Sequence, residues 1–277
     1  MNKTVAIQGI KGSFHHIAAL QYFKDKDPIS VKECLSFDTL VRYLIHDIAD
    51  IGVMAIENSI AGSIISNYAL IDNNNLNIVG EYYLNIQHHL LSLPNQTILD
   101  IKEVCSHPMA LLQCKHFFEK HPHIKLVEDK DTAETAKRIQ EQQLKGIAAI
   151  ASFEAAKLFK LDVLASHIQE IQNNETRFLI LTKREGRQNN DIIDKVSIKF
   201  ETKHEPGNLA SILNVMSACK MNLTKIQSLP IINTPWKYAF FADVTFKCYD
   251  DFQKLKHIIE IIGYKMKLLG EYKDAKS

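Results

Sequence analysis

The sequence predicts an α/β fold followed by a smaller domain with the β-α-β-β-α-β order of ferredoxin-like folds. Three observations lead to this prediction. Short apolar runs, typical of buried strands, alternate with segments of helical apolar spacing as far as Leu181. A polar stretch from Glu185 to Asp194 then interrupts the pattern and is the best candidate for a linker. Beyond it, the elements follow the order strand, helix, strand, strand, helix, strand.

Composition narrows the class of protein. The chain has 277 residues, a formal net charge of +1 and a sequence pI of about 7.7. Its length suggests roughly two domains, and its charge gives no reason to expect nucleic acid as a partner. No apolar run approaches the ~20 residues that span a bilayer, so no membrane partner is expected. Five scattered cysteines without metal-ligand spacing predict reduced thiols, no metal site and a cytoplasmic location.

The first strand, Val5 to Ile7, leads into a glycine-containing turn and then a helix from His15 to Phe23. A helix start leaves backbone N–H groups free and can bind an anion. Ser13 lies at this start, and the alternative is that it only caps a tight turn. The spacing is not G-x-G-x-x-G and there is no Walker lysine, so a nucleotide site is not predicted.

The next elements bring further polar groups to the end of a strand. Helical spacing from Phe37 to Ile48 precedes a continuous apolar run, Ile51 to Ile56, typical of a buried parallel strand. Glu57, Asn58 and Ser59 follow that strand directly, and another helix follows them. Ligand sites in open α/β sheets lie at such strand ends.

The middle of the chain continues the β-α order. A strand-like stretch from Leu76 to Leu93 contains His88 and His89, which we interpret as structural because adjacent strand residues face opposite ways. Val104 and Cys105 form a strand, and Pro108 suits the first turn of a helix reaching about Lys120. His107 at this turn is either catalytic or structural.

Two more strand-helix units precede the most distinctive motif. Asp131 caps a helix reaching about Gln142, and the buried strand Gly146 to Ala151 ends at Ser152, which opens another helix. Small alanines beside Ser152 allow close approach of either a ligand or a packed helix.

The motif Asn174 to Phe178 precedes the apolar run Leu179 to Leu181, which predicts a short buried strand. Thr176 supplies a hydroxyl, and the planar fork of Arg177 suits a carboxylate. We expect these groups side by side at the mouth of the strand; the alternative is a surface loop with a solvated arginine.

The C-terminal elements give the ferredoxin-like order. The predicted strands and helices are Val196 to Glu201, Asn208 to Cys219, Thr224 to Pro230, Tyr238 to Phe246, Phe252 to Ile262 and Lys265 to Leu269. Such small sheets leave an open edge that often pairs with another copy.

With these residues in place, the chain resembles the prephenate dehydratase family over nearly its whole length. The similar motifs, in chain order, are Gly9 to His15, Ala55 to Gly62, His107 to Cys114, Asp131 to Ala133, Ala148 to Ser152 and Asn174 to Phe178. The first motif departs from the family's G-P-x-G-T-F-S at Ile10, Ser13 and His15.

The resemblance implies two domains. Residues 1–186 would form a catalytic domain of two lobes with a cleft between them, similar to periplasmic binding proteins. Residues 195–277 would form an ACT domain that binds L-phenylalanine as effector and assembles the protein into a homodimer or homotetramer. The implied effector residues are Gly207, Asn208, Leu209, Ala210 and Ser228. Asn208, Gln227 and Leu229 depart from the family's effector motifs.

The implied reaction is conversion of prephenate to phenylpyruvate with loss of carbon dioxide and water, without a cofactor or metal. Thr176 would assist departure of the ring hydroxyl, supported by Glu57 and His107 in roles that the sequence does not divide. Arg177 would anchor a carboxylate, helped by N–H groups at the helix starts of Ser13 and Ser59. The remaining residues of the expected substrate site are Asn58, Asn174, Phe178 and Ser152.

Two alternatives remain open at this point. One is a dehydratase that prefers arogenate, which carries an amino group in place of the keto oxygen. The other is a non-catalytic protein that binds amino acids through a cleft and an ACT domain. The presence of Thr176, Arg177 and Glu57 together argues against the second alternative.

Overall fold

The computed structural model describes residues 2–26, 28–183, 192–202, 205–231 and 238–276. Residues 185–191, most of the linker predicted from the sequence, lie outside these ranges. In chain order the elements are β1 (Lys3–Gln8), α1 (Phe14–Tyr22), β2 (Ile29–Cys34), α2 (Phe37–Ile45), β3 (Ile51–Asn58), β4 (Gly62–Ser63), α3 (Ile65–Asn73), β5 (Asn77–Asn85), β6 (His89–Ser92), β7 (Glu103–Ser106), α4 (Pro108–Gln113), α5 (Lys115–Glu119), β8 (Lys125–Glu128), α6 (Thr132–Glu141), β9 (Ile147–Ala151), α7 (Phe153–Phe159), β10 (Asp162–Ala165), β11 (Glu175–Thr182), β12 (Lys195–Glu201), α8 (Asn208–Ala218), β13 (Asn222–Pro230), β14 (Tyr238–Thr245), α9 (Tyr249–Ile261) and β15 (Lys265–Tyr272).

The chain divides into two compact units. The first unit contains Met1–Ser63 and Tyr83–Phe178, and the second contains Ile64–Tyr82 and Leu179–Ser277. This division differs from the expected domains 1–186 and 195–277, because α3 and most of β5 pack with the C-terminal strands.

The first unit contains three parallel strands in the order β2, β1, β3. Helix α2 packs closely on β3, where a Cβ on Gly52 would lie 2.8 Å from Leu40 Cδ2. The parallel α/β arrangement predicted for this part of the chain is confirmed.

A second sheet in the first unit has the order β10, β6, β9, β7, β8. Strand β7 is parallel to β8 and β9, whereas β6 is antiparallel to both β9 and β10. The expectation of parallel strands is therefore wrong for β6 and β10. The unit has two sheets, each covered by helices, which confirms the two-lobed α/β fold class.

The predicted strand from Leu76 to Leu93 is interrupted. Its backbone leaves the strand pattern between β5 and β6, where the amide of Ile86 donates to Asn174 O (2.6 Å) and that of His88 to Gln169 Oε1 (3.0 Å). These backbone groups are satisfied by the segment before β11, so the strand cannot continue through them. The predicted helix reaching Lys120 is also divided, into α4 and α5, at Cys114.

The second unit contains the predicted ferredoxin-like order. Its antiparallel sheet has the spatial order β13, β14, β12, β15. Residues of α8 and α9 share a buried core with one face of this sheet. Strand β15 meets β5 where Gly270 pairs with Ile78, and a Cβ on Gly270 would lie 2.2 Å from Ile78 O. Within the described ranges, no helix is long and apolar enough to cross a membrane.

Candidate active site

The start of β11 lies beside the end of β3. The Ser59 amide donates to Glu175 O (2.8 Å), and the Glu175 amide donates to Ser59 Oγ (3.0 Å). These two hydrogen bonds bring the motif after β3 against the motif of Thr176. Strand β11 begins at Glu175, four residues before the start at Leu179 that the sequence suggested, so most of the motif lies within the strand and not before it.

Asn58 is held in one orientation and directs its amide nitrogen at Thr176. Its Oδ1 accepts from the backbone amides of Ile60 (3.0 Å) and Ala61 (2.9 Å), which places Nδ2 on the other side. Nδ2 then donates to Thr176 Oγ1 (2.9 Å) and to Asn174 Oδ1 (2.6 Å). Because Thr176 Oγ1 accepts a hydrogen bond here, its own O–H remains able to donate to another group.

The polar network continues away from Thr176 into buried structure. Asn174 Nδ2 donates to Gln113 Oε1 (2.9 Å), and His88 Nε2 lies 3.1 Å from the same oxygen. Since Gln113 Oε1 is an acceptor, His88 must carry its proton on Nε2. Its buried Nδ1 has no hydrogen-bond partner among the described residues, and burial lowers the pKa of His88 to about 4. The histidine is therefore neutral near pH 7.

Gln113 and His88 were not among the site residues expected from the sequence. Gln113 belongs to the motif His107 to Cys114, and this motif is the sequence feature that could have indicated it as a site residue. Nothing in the local sequence indicates its contact with Asn174, because the two residues are distant in the chain.

Arg177 points away from Thr176. Successive side chains of a strand face opposite sides, so Thr176 and Phe178 share one face of β11 and Arg177 occupies the other. The guanidinium carbon of Arg177 lies 6.0 Å from the ring centroid of Tyr83, and the residue is only 4% exposed. By this alternation the two side chains occupy opposite faces of β11, and the expected role of Arg177 beside Thr176 stays a prediction.

The face of β11 that carries Thr176 also contacts a neutral histidine. The rings of Phe178 and His15 meet edge to face with centroids 4.9 Å apart. His15 Nε2 accepts from the Ala55 amide (3.2 Å), and burial lowers the pKa of His15 to about 3. His15 is one of the positions at which the first sequence motif differs from the family's motif.

The two expected serines at helix starts are buried caps. Ser13 Oγ accepts from the His16 amide (3.3 Å) at α1, and Ser152 Oγ accepts from the Ala155 amide (3.0 Å) at α7. Ser152 also donates to Gly12 O (2.6 Å), which links the two helix starts across the two sheets of this unit. Ser152 Oγ thus both accepts and donates within the protein, whereas Ser13 Oγ accepts a hydrogen bond and its O–H remains able to donate to a ligand.

Glu57 and His107 differ in placement. Glu57 is half-buried at the end of β3 and, by strand alternation, faces away from Asn58. His107 is exposed, and its Nδ1 accepts from the Met109 amide (3.2 Å) at the start of α4. Within the described ranges, no hydrogen bond connects His107 to the network around Thr176.

The expected effector residues lie in the second unit. Gly207 has a φ of 84° and precedes α8, where Asn208 Oδ1 accepts from the Tyr264 hydroxyl (2.5 Å). Leu209 packs against the core, and Ala210 is exposed. Ser228 is exposed on β13. The described residues include no cluster of three or more histidine, cysteine or acidic side chains suited to a metal ion.

The family model and the curated relatives indicate one family. The family model for prephenate dehydratase matches residues 5–186. An Arabidopsis thaliana protein described as arogenate dehydratase/prephenate dehydratase 2 is 34% identical over 97% of this chain and 72% of its own length. A bifunctional chorismate mutase/prephenate dehydratase of Buchnera aphidicola is 31% identical over 97% of this chain and 70% of its own. Among such relatives, the share of their length that this chain spans ranges from 57% to 74%.

A solved structure shows the same fold. The prephenate dehydratase of Arthrobacter aurescens, determined in complex with L-Phe, has a TM-score of 0.84 and 25% identity. The match covers 99% of this chain and 90% of that one.

Proposed function

The chain belongs to the prephenate dehydratase family of carbon–oxygen lyases, and from that membership we propose that it converts prephenate to phenylpyruvate in phenylalanine biosynthesis. The observation that supports this proposal best is the hydroxyl of Thr176, which accepts a hydrogen bond from Asn58 and keeps its own proton for a ligand. The reaction needs a hydrogen-bond donor of this kind at the departing ring hydroxyl.

The chemistry follows from the electron flow. The bond between the ring and its carboxylate breaks, carbon dioxide leaves, and the electron pair completes the aromatic ring. The same shift expels the ring hydroxyl, which takes up a proton that comes ultimately from solvent and leaves as water. Thr176 donates a hydrogen bond to that oxygen, and Asn58 polarises the threonine by donating to Oγ1. General acid assistance contributes about 10²–10⁴-fold.

Binding of the dianion is assigned to the groups around this hydroxyl. Backbone amides at the helix start of Ser13 suit one carboxylate. The amides of Ser59, Ile60 and Ala61 already donate to Glu175 O and Asn58 Oδ1, and α3 begins only at Ile65, so the helix start expected at Ser59 does not supply free donors. Arg177 supplies a buried positive charge from the opposite face of β11. Glu57 and His107 are the two residues proposed to support Thr176. Glu57 would act from the end of β3, and His107 from the exposed start of α4.

We propose regulation and assembly on the same family basis. L-phenylalanine would bind near Gly207 to Ala210 and Ser228 between two copies, in a homodimer or homotetramer in the cytoplasm. The supporting observation is that a structure of similar fold, from Arthrobacter aurescens, was determined with L-Phe. A preference for arogenate remains the second candidate, because the Arabidopsis relative is described by both activities.

The test is the substitution Thr176→Val, which keeps the shape of the side chain and removes the hydroxyl. Turnover of prephenate should fall by roughly 10²-fold or more, with an unchanged circular dichroism spectrum. Thr182→Val, at the other end of β11, is the matched control and should retain activity. Assays on prephenate and arogenate in parallel decide the substrate. Near-normal turnover by Thr176→Val would remove this residue from the mechanism.

A further inference from the structure

The second unit contains a cavity of about 320 Å³ that the proposed reaction does not use. Its lining comes from the last turns of α3 and from three strands of the ferredoxin-like sheet. The residues are Ala69, Asp72 and Asn73 on the helix side and Lys199, Leu229, Pro230, Ile231, Ala239 and Phe241 on the sheet side.

The strand residues of this cavity share the sheet face opposite α8 and α9. Leu229 pairs with Ala239, and Phe241 pairs with Lys199, so their side chains align across β13, β14 and β12. The alternate residues, such as Phe200, belong to the core beneath α8 and α9. The cavity therefore lies on the face that those helices leave uncovered.

One end of the cavity is charged. Lys199 Nζ lies 2.7 Å from Asp72 Oδ2 and 3.7 Å from Glu201 Oε1, while Lys267 Nζ lies 2.7 Å from Asp72 Oδ1. Two ammonium groups thus share one carboxylate. An ammonium has three donors, and Lys199 uses one of them in a hydrogen bond within the described ranges. It retains donors for a second anion.

Asp72 remains ionised beside these lysines. Burial opposes its ionisation, but the hydrogen bonds from Lys199 and Lys267 outweigh that effect, so the pKa of Asp72 lies below its ordinary value. The last carbonyls of a helix also favour positive charge, and Asp72 is in the last turn of α3. The charged end can therefore accept a carboxylate at Lys199 and tolerate an amino group near Asp72.

The other end of the cavity is apolar. Leu229, Pro230, Ile231, Ala239 and Phe241 form its wall. Binding is favoured when the apolar part of a ligand covers this wall and removes it from water. The ring of Phe241 can also make an aromatic contact. The size of the cavity suits a single aromatic ring with a short acidic chain.

We propose that this cavity binds a small carboxylate with an aromatic or large aliphatic body. The carboxylate pairs with Lys199, and the body covers Leu229 and Phe241. The cavity shares Leu229 and Pro230 with the expected effector motif, but Ser228, the effector residue expected on β13, faces the opposite side of the sheet from Leu229. The inference does not depend on the proposed reaction.

The direct test is calorimetric titration of the full chain with 3-phenylpropanoate. We expect binding of the acid and at least tenfold weaker binding of the uncharged analogue 3-phenylpropanamide, since a hydrogen bond to a charged group is lost. Absence of binding at millimolar acid, or equal binding of the amide, would contradict the proposal.

Three substitutions locate the ligand. Lys199→Met should weaken binding about tenfold or more, whereas Asp72→Asn should strengthen it roughly two- to fivefold, because the competing anion is removed. A merely structural role of the ion pair would weaken binding in both variants. Leu229→Trp fills the apolar end and should abolish binding while leaving Lys199 intact. Lys256→Met, an exposed lysine of α9, is the control.

The natural ligand has two chemical sources, an amino acid or a 2-oxo acid. Titrations with L-phenylalanine and phenylpyruvate distinguish them: whichever binds more tightly than 3-phenylpropanoate identifies the source. Only the binding that is lost in Leu229→Trp is assigned to the cavity; L-phenylalanine binding that persists in this variant belongs to the expected effector region around Gly207 and Ser228. Binding of all three compounds that persists in both Leu229→Trp and Lys199→Met would place the ligand elsewhere and overturn the inference.

Discussion

At the scale of single residues, Asn58 determines where the proton of Thr176 can go. The backbone amides of Ile60 and Ala61 hold the Asn58 oxygen, so only its nitrogen can reach Thr176 Oγ1. An acceptor in place of that nitrogen would reverse the hydrogen bond. The threonine would then donate towards β3 and have no proton for the ligand.

Asn58→Asp tests this orientation. The aspartate keeps the contacts to Ile60 and Ala61 but accepts from Thr176, so kcat should fall by roughly 10²-fold with a smaller change in KM. Asn95→Asp, exposed and distant in sequence, adds the same charge and serves as control. An active Asn58→Asp enzyme would show that the direction of this hydrogen bond does not matter.

Arg177 is tested by Arg177→Lys, which keeps the charge and loses the planar fork. Hydrogen bonds to charged groups contribute about 1.5–3 kcal/mol, or roughly 10–150-fold in binding. We expect a clear loss of kcat/KM for prephenate. If lysine performs as well as arginine, the side chain acts through its charge alone, as its position on the opposite face of β11 from Thr176 allows.

Motifs in the sequence were sufficient to select Thr176, Asn58 and Asn174, which the structure brings together. They did not indicate which way each side chain faces. That depends on where β11 begins, and a boundary at Glu175 separates Thr176 from Arg177 by strand alternation. The contact of His88 with Gln113 was also missed, because it depends on tertiary packing.

At the scale of secondary-structure elements, capping residues were reliable signals. Asp131 begins α6 and Ser152 begins α7 as expected, because each side chain accepts from amides in the first turn. The interruption between β5 and β6 had no comparable signal. It arises from hydrogen bonds to the segment before β11, which local apolar patterning does not reveal.

Two neutral histidines make the free energy of unfolding depend on pH. Burial lowers the pKa of His15 to about 3 and of His88 to about 4, below the unfolded value of about 6.5. The unfolded chain therefore binds more protons, so their stabilisation is present above about pH 6.5 and is lost as pH falls. The free energy of unfolding should decrease by about 1.4 kcal/mol per pH unit for each histidine.

Urea unfolding at several values between about pH 6.5 and 5 measures this slope. His15→Gln keeps an acceptor for the Ala55 amide and removes the ionisation, so its slope should be shallower than that of the unsubstituted protein. Gln253→Asn, an exposed position of α9 without an ionisable side chain, should leave the slope unchanged. Equal slopes in all three proteins would exclude a coupled histidine at position 15.

At the scale of the whole molecule, contacts group the chain differently from its sequence order. Ile64–Tyr82 joins the C-terminal residues in the second unit. Buried charges hold it there: Lys195 Nζ lies 2.8 Å from Glu81 Oε1, and both side chains are almost fully buried. The sequence could not indicate this grouping, because an ion pair between residues so distant in the chain has no local pattern.

The last prediction concerns the effector. Gly207 keeps the left-handed backbone that a glycine accommodates, and Pro230 is retained, whereas Gln227 and Leu229 replace the charged residues of the family motif. We therefore expect L-phenylalanine to inhibit, but with affinity reduced by one or more factors of ten, at about 1.4 kcal/mol each. Activity and sedimentation velocity, measured against L-phenylalanine, should show a weak response in an assembly of at least two chains. A monomer without response at millimolar L-phenylalanine would contradict both parts. A dimer without response would indicate that the C-terminal domain serves assembly or responds to another ligand.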